Sequence, residues 1–573
     1  MLATRLKESH PPTRPLSDTR FPIDPPATTI QNHANRFPKS MMKTTIRLFA
    51  LALCCTSPCV SAETYDARIG KWEILTPQAP ASPRINGPAI YGARPGKQFI
   101  YRIPTQGARP IHFMVKDLPD GLKLDADKGI ITGTTPGRKG SYAMTITAKN
   151  KLGQVTRPFK LVVGEKLALT PPVGWNSWGG YMLTVSDQVM RKTADLIVEN
   201  GLADVGFQYV SIDDCWMRIS PENFAARNPA SVKRHEGFNF DGMVGKVRDD
   251  QGNILPNEHF PDMKAMVDHI HAYGLKAGLY SSPGPFTCQS FTGSYGHQLQ
   301  DARQYARWGF DLLKYDQCSG TRLLADLRKQ NPDYKPADFW KPMADDLRAQ
   351  DRDILFNLCQ YGLDEPWTWA PGIGIQTWRT GGDLNHEVQT YFEQALRLAT
   401  KLRDYSKPGQ WNDPYFLYID RIRSHKKMVA PSVEIPLDTN QRYQYVTLWS
   451  MICAPFFFSC DMDHISEFTW RLLGNADVVN INQDELGKVA KVVVRNSDEV
   501  VMVKPLADGS RAVALFNRNA EKDADFKIDA NWWGASSPHS VLDVWRQRTL
   551  KSLNSGDTVR LSPNGVALFI VRE

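Results

Sequence analysis

The chain has 573 residues, of which 42% are hydrophobic and 10% aromatic, and this composition is that of a globular protein with two to four domains. Its formal net charge is +8, but residues 1–62 carry eight Lys or Arg against three Asp or Glu, and no basic run follows them. The charge pattern therefore gives no electrostatic footprint for a nucleic-acid partner.

Residues 1–62 predict a leader followed by a secretion signal. Lys43 and Arg47 form a positive segment, residues 48–55 form an apolar run, and Val60-Ser61-Ala62 fits the small-residue rule for cleavage. The apolar run is too short to cross a bilayer as a helix. We therefore expect an exported protein, periplasmic or extracellular, without a membrane span, and we leave residues 1–62 out of the fold.

Residues 63–165 predict an Ig-like β-sandwich. Strand patterns at 99–103, 112–116 and 142–148 are separated by clusters of Gly and Pro, which is typical of a sandwich. The segment resembles bacterial immunoglobulin-like modules that are attached to secreted carbohydrate enzymes. It holds no constellation of titratable groups, so a spacer or packing role is the favoured interpretation and sugar binding is the alternative.

Residues 166–485 alternate apolar runs with helical patterns, as βα repeats do. Parallel strands are predicted at or near residues 173–175, 208–212, 275–280, 310–316, 354–358, 377–379, 409–411 and 455–459. Eight strands is the number that closes a (β/α)8 TIM barrel. Residues 486–573 then predict an antiparallel β-sandwich, with strands at 500–505, 512–516 and 565–571. The predicted fold class is thus α/β, with a barrel flanked by two β-sandwiches.

Polar and aromatic side chains follow the predicted strands at their carboxyl ends, which form the active-site face of such a barrel. The candidate site residues are Trp175, Asp213, Asp214, Tyr280, Lys314, Asp316, Cys359, Gln360, Arg379 and Asp383. No Ser-His pairing, metal-ligand spacing or Gly-rich phosphate loop stands out, so we expect no metal and no cofactor. Several carboxylates around one cavity suit glycoside hydrolysis, which uses one carboxylate as nucleophile or base and another as proton donor.

Six motifs, in order, resemble glycoside hydrolase family 27, the family of α-galactosidases and α-N-acetylgalactosaminidases. They are Thr170-Pro171-Pro172-Val173-Gly174-Trp175-Asn176-Ser177-Trp178, Asp213-Asp214-Cys215-Trp216, Lys314-Tyr315-Asp316, Trp378-Arg379-Thr380-Gly381-Gly382-Asp383, Trp411-Asn412-Asp413-Pro414 and Ile481-Asn482-Gln483-Asp484. The resemblance covers about residues 165–573. It implies a retaining exo-glycosidase that removes terminal, non-reducing α-D-galactose from oligosaccharides or polysaccharides by double displacement.

The same resemblance implies a role for each catalytic carboxylate. Asp316 would be the nucleophile, and Asp383 would be the general acid and then the general base, with a retaining pair expected about 5–5.5 Å apart. Lys314 would help to keep Asp316 ionised. Asp383 would need a raised pKa in order to arrive protonated.

The remaining candidates would bind the sugar. By the resemblance, Asp213 and Asp214 would accept hydrogen bonds from an axial O4 and a free O6. Trp175 would stack on the sugar ring or form a wall beside it. Lys314 would reach the O3/O4 side, and Arg379 with Asp383 would reach the O2 side. Tyr280 and Cys359 complete the expected substrate-binding set.

The chain departs from the family in two places. Cys359-Gln360-Tyr361 stands where many members have Cys-Glu-Trp, and Tyr415-Phe416 stands where the family usually has Asp-Met. Gln360 can still donate or accept a hydrogen bond at O2. Neither Gln360 nor Leu363 is small, which favours a free 2-hydroxyl over the acetamide of N-acetylgalactosamine.

The resemblance also implies a pairing for two of the cysteines. Cys288 and Cys318 match a family disulfide beside the active site, and we expect that bond. The loop 180–187 has no cysteine, so the usual partner of Cys215 is missing and Cys215 should be a free thiol.

Three other functions are compatible with the resemblance or the cavity. Within the family they are a β-L-arabinopyranosidase, whose members tend to alter the acidic pair, and an α-N-acetylgalactosaminidase. From another class, a catalytically silent carbohydrate-binding protein would be expected to lack a catalytic carboxylate. The intact pair Asp213-Asp214 and the presence of both Asp316 and Asp383 favour an α-galactosidase, and no particular oligomeric state is predicted.

Overall fold

The computed structural model describes residues 62–384, 388–534 and 540–572. The predicted leader and secretion signal thus lie outside the described residues, apart from Ala62. Among the described residues, no helix combines the length and the apolarity that a bilayer crossing requires.

A ring of eight parallel strands forms the centre of the fold. In chain order the barrel strands are Val173–Asn176, Tyr209–Ser211, Lys276–Ser281, Leu312–Asp316, Leu355–Cys359, Thr377–Arg379, Trp411–Asp413 and Phe456–Phe458. Each pairs with the next from the first to the seventh, and the eighth pairs with the first. The last junction is made just beyond the seventh strand, where Leu417 forms a parallel bridge with Phe458. The predicted TIM barrel is confirmed.

Burial on both faces explains why these strands have continuous apolar runs. Every residue of Lys276–Ser281 and of Leu312–Asp316 is buried. A parallel barrel strand has side chains packed inside the ring on one face and helices against the other. Since all eight strands run in one direction, the polar residues at their carboxyl ends meet at one end of the barrel.

Helices and short helical turns connect the strands. The helix Asp187–Glu199, for example, begins after Ser186, whose hydroxyl accepts a hydrogen bond from the Val189 N–H at 3.3 Å, and it buries Met190 and Ala194. The other α-helices are Trp178–Tyr181, Pro221–Ala225, Pro229–Arg234, Met263–Ala272, Gln298–Trp308, Gly320–Gln330, Pro336–Arg348, Pro366–Trp369, Val388–Thr400, Thr439–Met451, Glu467–Leu473 and Ala476–Asn482. Short 3-10 helices span Met182–Thr184, Ala370–Ile373, Arg403–Tyr405 and Ala530–Trp532.

An Ig-like sandwich precedes the barrel, as predicted. One sheet contains Ile90–Ala93, Gly153–Val163, Gly140–Asn150 and His112–Lys116, the other contains Gln98–Arg102, Ile130–Thr134 and Leu122–Asp125, and Arg84–Ile85 pairs with Thr105–Gln106. Their facing side chains form a separate apolar core. Ion pairs of Arg94 with Asp353 and of Arg102 with Asp204 attach this sandwich to the barrel.

The C-terminal sandwich includes a strand from the start of the described chain. Its larger sheet contains Lys491–Arg495, Glu499–Pro505, Arg511–Asn517, Val566–Arg572, Ser540–Asp543 and Arg548–Leu550. Its smaller sheet contains Ala524–Lys527, Thr558–Leu561 and Thr64–Asp66. The strand Thr64–Asp66 runs parallel to Thr558–Leu561, so it pairs with the C-terminal sandwich and not with the Ig-like unit in which residues 63–165 were predicted to lie. A small hairpin of Arg421–Ile422 and Val433–Glu434 follows the seventh barrel strand.

Candidate active site

A buried ion pair joins the second and fourth barrel strands at their carboxyl ends. The ammonium Nζ of Lys314 lies 2.7 Å from Oδ2 of Asp213, and the two side chains are 8% and 3% exposed. Lys314 also lies over the rings of Tyr280 and Phe416, at 5.1 and 4.8 Å from their centroids. Taking both charges out of water is costly unless they are paired, so each fixes the position of the other.

Asp214, the next residue after Asp213, has a strongly perturbed acidity. Its carboxylate accepts hydrogen bonds from the backbone N–H of Cys215 at 2.7 Å and of Gln289 at 3.0 Å. Burial raises the pKa of Asp214 to about 7, and the adjacent charge of Asp213 acts in the same direction. The carboxyl group of Asp214 is thus protonated in mildly acidic solution.

Asp316 ends the fourth barrel strand and receives a hydrogen bond from a tyrosine on each of its two oxygens. The hydroxyl of Tyr361 donates to Oδ1 at 2.6 Å, and the hydroxyl of Tyr280 donates to Oδ2 at 3.2 Å. Burial raises the pKa of Asp316, and the charge of Lys314 and the bond from Tyr361 offset only part of that effect. Lys314 therefore opposes protonation of Asp316, as predicted, but the net shift is upward.

Asp383 lies beyond the sixth barrel strand, beside Arg379. Nη1 of Arg379 donates to Oδ1 of Asp383 at 3.2 Å, and its Nη2 donates to the carbonyls of Gly381 and Gly382. The side chain of Asp383 is 47% exposed, so partial desolvation raises its pKa only in part, and the charges of Arg379 and Lys314 hold that pKa below its usual range. The expectation of a raised pKa for Asp383 is therefore wrong for this arrangement of side chains, because the guanidinium is paired directly with the carboxylate.

Two further predicted residues, Cys359 and Gln360, lie at and just after the end of the fifth strand. Cys359, at the end of the fifth strand, is buried, and its Sγ accepts a hydrogen bond from Nη1 of Arg379 at 3.6 Å. The amide nitrogen of Gln360 donates to the carbonyl of Leu363, and its Oε1 is buried without a partner among the described residues. An unsatisfied buried acceptor is unfavourable, so the amide of Gln360 is held at a cost in this arrangement. A contact with the sugar O2 stays a prediction.

Trp175, which was predicted to contact the sugar ring, has no exposed surface. Its indole is fully buried, packs edge-on against Tyr181 with ring centroids 5.9 Å apart, and donates Nε1–H to the carbonyl of Cys460 at 3.2 Å. The indole is thus held by Tyr181, in the helix after the first strand, and by Cys460, just beyond the eighth strand. Its contact with a sugar stays a prediction.

The predicted disulfide between Cys288 and Cys318 is confirmed. It ties the loop after the third barrel strand to the residues that follow Asp316, and Sγ of Cys318 lies 3.1 Å from the hydroxyl of Tyr280. The free, buried thiol of Cys215 is confirmed as well. The disulfide thus holds one wall of the site in place beside Asp316.

Three contributors to the site were not among the predicted residues. Tyr361 bonds to Asp316, the ring of Tyr415 lies under the guanidinium of Arg379 at 4.1 Å, and Asp413 accepts a hydrogen bond from Asn357 at 2.9 Å. Burial raises the pKa of Asp413. Tyr361 and Tyr415 lie in the two segments where the sequence departs from the family motifs, and each contributes a phenol there. The departures themselves were therefore the signal that these positions have an altered role.

Comparison with known families matches each part of this architecture. A family model described as "Alpha galactosidase A" matches residues 170–240 and 233–484. A model described as "Alpha galactosidase C-terminal beta sandwich domain" matches residues 496–571, and one described as "Putative Ig domain" matches residues 82–164. Together these matches cover the barrel and both sandwiches.

Individual proteins give the same result. The chain is 30% identical over 441 residues to "Alpha-galactosidase 2" of Arabidopsis thaliana, covering 75% of this chain and 96% of the relative. It is 32% identical over 398 residues to the "Alpha-galactosidase" of Cyamopsis tetragonoloba, covering 68% and 83%. A crystal structure from Bacteroides fragilis, titled as a "putative alpha-galactosidase/melibiase", is 31% identical with a TM-score of 0.74, covering 86% of this chain and 98% of that one.

Proposed function

We propose that this chain, which belongs to the α-galactosidase (melibiase) family, is a retaining exo-glycosidase that hydrolyses terminal α-D-galactosides. The observation that carries the proposal is the convergence of Asp316 and Asp383 with the pair Asp213–Lys314 at the carboxyl ends of the barrel strands. Hydrolysis of a glycoside needs two carboxyl groups in different protonation states beside a sugar-binding surface. Asp316 and Asp383 supply the two carboxyl groups, and their pKa values are shifted in opposite directions.

Recognition of galactose would rest on the second and fourth strands. The carboxyl groups of Asp213 and Asp214 offer acceptors for O4 and O6, and the ammonium of Lys314 offers a donor on the O3/O4 side. A hydroxyl that binds there replaces water at buried charged groups, so an epimer that lacks the axial O4 would leave these groups unpaired. This is the physical basis for preferring galactose over glucose.

The reaction would proceed in two displacements. In the first, an oxygen of Asp316 forms a bond to C1 of galactose while the glycosidic bond breaks, and Asp383 gives its proton to the departing oxygen. In the second, Asp383 takes a proton from water, the water oxygen bonds to C1, and Asp316 leaves as a carboxylate. The two inversions at C1 give net retention.

The first displacement requires the proton to be on Asp383, whereas Arg379 favours its ionised form. We expect substrate to change that balance. A 2-hydroxyl that accepts from Arg379 would compete with Asp383 for the guanidinium, and exclusion of water by the sugar would raise the pKa of Asp383. The pH dependence of kcat reports the enzyme–substrate complex, and that of kcat/KM reports the free enzyme. The pKa of the general acid should then be higher in the profile of kcat than in the profile of kcat/KM.

A panel of aryl glycosides tests the proposal. We expect turnover of an aryl α-D-galactoside, with α-galactose as the first product by NMR, and little turnover of the β-L-arabinopyranoside or the α-N-acetylgalactosaminide. Asp316→Asn should abolish turnover while galactose still binds. Activity that survives Asp316→Asn, or β-galactose released first, would contradict the proposal. Binding of galactose without turnover of any substrate would identify a carbohydrate-binding protein.

We further propose that the protein is exported, to the periplasm or the cell exterior. The signal-like segment before residue 63 and the disulfide between Cys288 and Cys318 support this, because disulfides persist in oxidising compartments. N-terminal sequencing of the protein expressed from the full reading frame tests it. A mature protein beginning at or near Glu63 is expected, and an uncleaved cytoplasmic product would refute it.

A further inference from the structure

We propose that Tyr361 is a positioning residue for the nucleophile Asp316, and that its hydroxyl both orients the carboxylate and keeps it ionised. The proposal rests on the hydrolytic function proposed above. The hydroxyl of Tyr361 donates to Oδ1 of Asp316 at 2.6 Å. This bond is shorter than the one at 3.2 Å from Tyr280 to Oδ2, so Tyr361 is the stronger of the two donors.

The backbone around Tyr361 is held in the left-handed conformation, which glycine favours. Tyr361 itself has φ of +62°, and the residues Gly362, Asp364 and Glu365 also have positive φ. A non-glycine residue in this region is uncommon and needs support from its surroundings. That support includes close packing, since a Cβ on Gly362 would come within 2.5 Å of the carbonyl oxygen of Thr380. The turn therefore presents the phenol of Tyr361 toward Asp316 in a fixed position.

A second, weaker acceptor lies beside the hydroxyl of Tyr361. Its oxygen lies 3.6 Å from Sγ of Cys288, which belongs to the disulfide that also holds Cys318. A disulfide sulfur is a weak acceptor, whereas a carboxylate is a strong one. The hydroxyl of Tyr361 is thus directed to Asp316 by both the turn and the disulfide. In this way the loops after the third and fifth strands fix the nucleophile on the fourth.

The hydrogen bond should matter in both chemical steps. In the free enzyme it stabilises the ionised carboxylate against the effect of burial. In the glycosyl-enzyme, Asp316 becomes an ester whose carbonyl oxygen is a weaker acceptor. When that ester is hydrolysed, negative charge returns to the carboxylate, and a donor already in place stabilises the developing charge. Loss of the hydroxyl should therefore lower kcat more than it changes KM.

Replacement by phenylalanine tests the inference. For Tyr361→Phe we expect kcat on an aryl α-galactoside to fall by about 10-fold to 100-fold, the range expected for one hydrogen bond to a charged group. The acidic limb of kcat/KM should move to higher pH, because the variant loses a donor to the ionised form of Asp316. A role limited to packing would not move this limb. Circular dichroism should show both proteins folded.

Tyr443→Phe is the matched control. Its hydroxyl also donates a hydrogen bond, to the carbonyl of Glu73 at 3.0 Å, but it lies on a helix behind the barrel. We expect its kinetics and pH profile to match those of the wild type. If Tyr361→Phe leaves kcat and the acidic limb unchanged while Asp316→Asn is inactive, the inference about Tyr361 is wrong and the proposed function stands. If the wild type itself hydrolyses no α-galactoside, the proposed function fails instead.

Discussion

Replacing Asp214 with asparagine should stabilise the protein in neutral solution while it abolishes activity. Asp214 is buried, and its pKa is raised to about 7, whereas an aspartate in an unfolded chain titrates near 3.9. Between about pH 4 and pH 7 the folded protein holds a proton that the unfolded chain has lost. The free energy of unfolding therefore falls as pH rises through this window. Asparagine, which does not titrate, removes that dependence.

The magnitude follows from the pKa shift. A change from 3.8 to about 7 corresponds to about 4 kcal/mol of destabilisation above pH 7, at 1.36 kcal/mol for each pKa unit. Asparagine has one acceptor oxygen in place of two, so the bond from either Cys215 or Gln289 is lost, at about 1–2 kcal/mol. Asp214→Asn should thus stabilise the protein by about 2–3 kcal/mol at pH 8 and destabilise it by about 1–2 kcal/mol at pH 4.

Urea-induced unfolding at pH 4, 6 and 8 measures this reversal. Asp311→Asn is the control, because Asp311 is also a buried carboxylate, but His271 and Arg352 outweigh burial and hold its pKa below the usual range. That variant should be destabilised most at neutral pH. A difference between wild type and Asp214→Asn that is the same at pH 4 and pH 8, or a less stable variant at pH 8, would refute the reasoning.

Three further experiments test other parts of the site. Lys314→Met should lower the free energy of unfolding by about 3–5 kcal/mol, since it leaves the charge of Asp213 buried alone, and adding Asp213→Asn should recover part of this loss in urea titrations. Gln360→Glu restores the family residue but places a carboxylate against the carbonyl of Leu363, so thermal unfolding should show a loss of about 1–3 kcal/mol. Replacing Cys288 and Cys318 together by serine opens a 30-residue loop and should cost about 3–4 kcal/mol, which calorimetry can measure; an unchanged melting temperature would contradict it.

The fold was largely predictable because its strands carry a strong local pattern. Runs such as Leu312-Leu313 are buried on both faces, and each ends in polar residues that the topology brings together. The closure of the ring was not visible in the same way. It depends on Leu417, which lies four residues beyond the seventh strand, in the apolar run 415–419, and pairs there with Phe458.

The chemistry of the site was predictable by residue type but not by protonation state. The motifs identified Asp316 and Asp383, yet the pKa of Asp383 is shifted downward, against the expectation, and the pKa of Asp316 is raised in spite of Lys314. A pKa depends on burial and on the distance to each neighbouring charge, and neither quantity is contained in a motif. The same reason explains why Tyr361 was noticed as a departure from the family but not as a donor to the nucleophile.

The parallel pairing of Thr64–Asp66 with Thr558–Leu561 has a consequence for how the protein folds. The two strands are separated by almost the whole described chain, and the N–H of Ala67 also donates to the carbonyl of Arg560. Contacts between such distant segments form late, because the entropy of closing so large a loop is lost before any bond is gained. The smaller sheet of the C-terminal sandwich can therefore be completed only when both segments have left the ribosome. We expect its pairing of the first and last segments to form after the chain between them has folded.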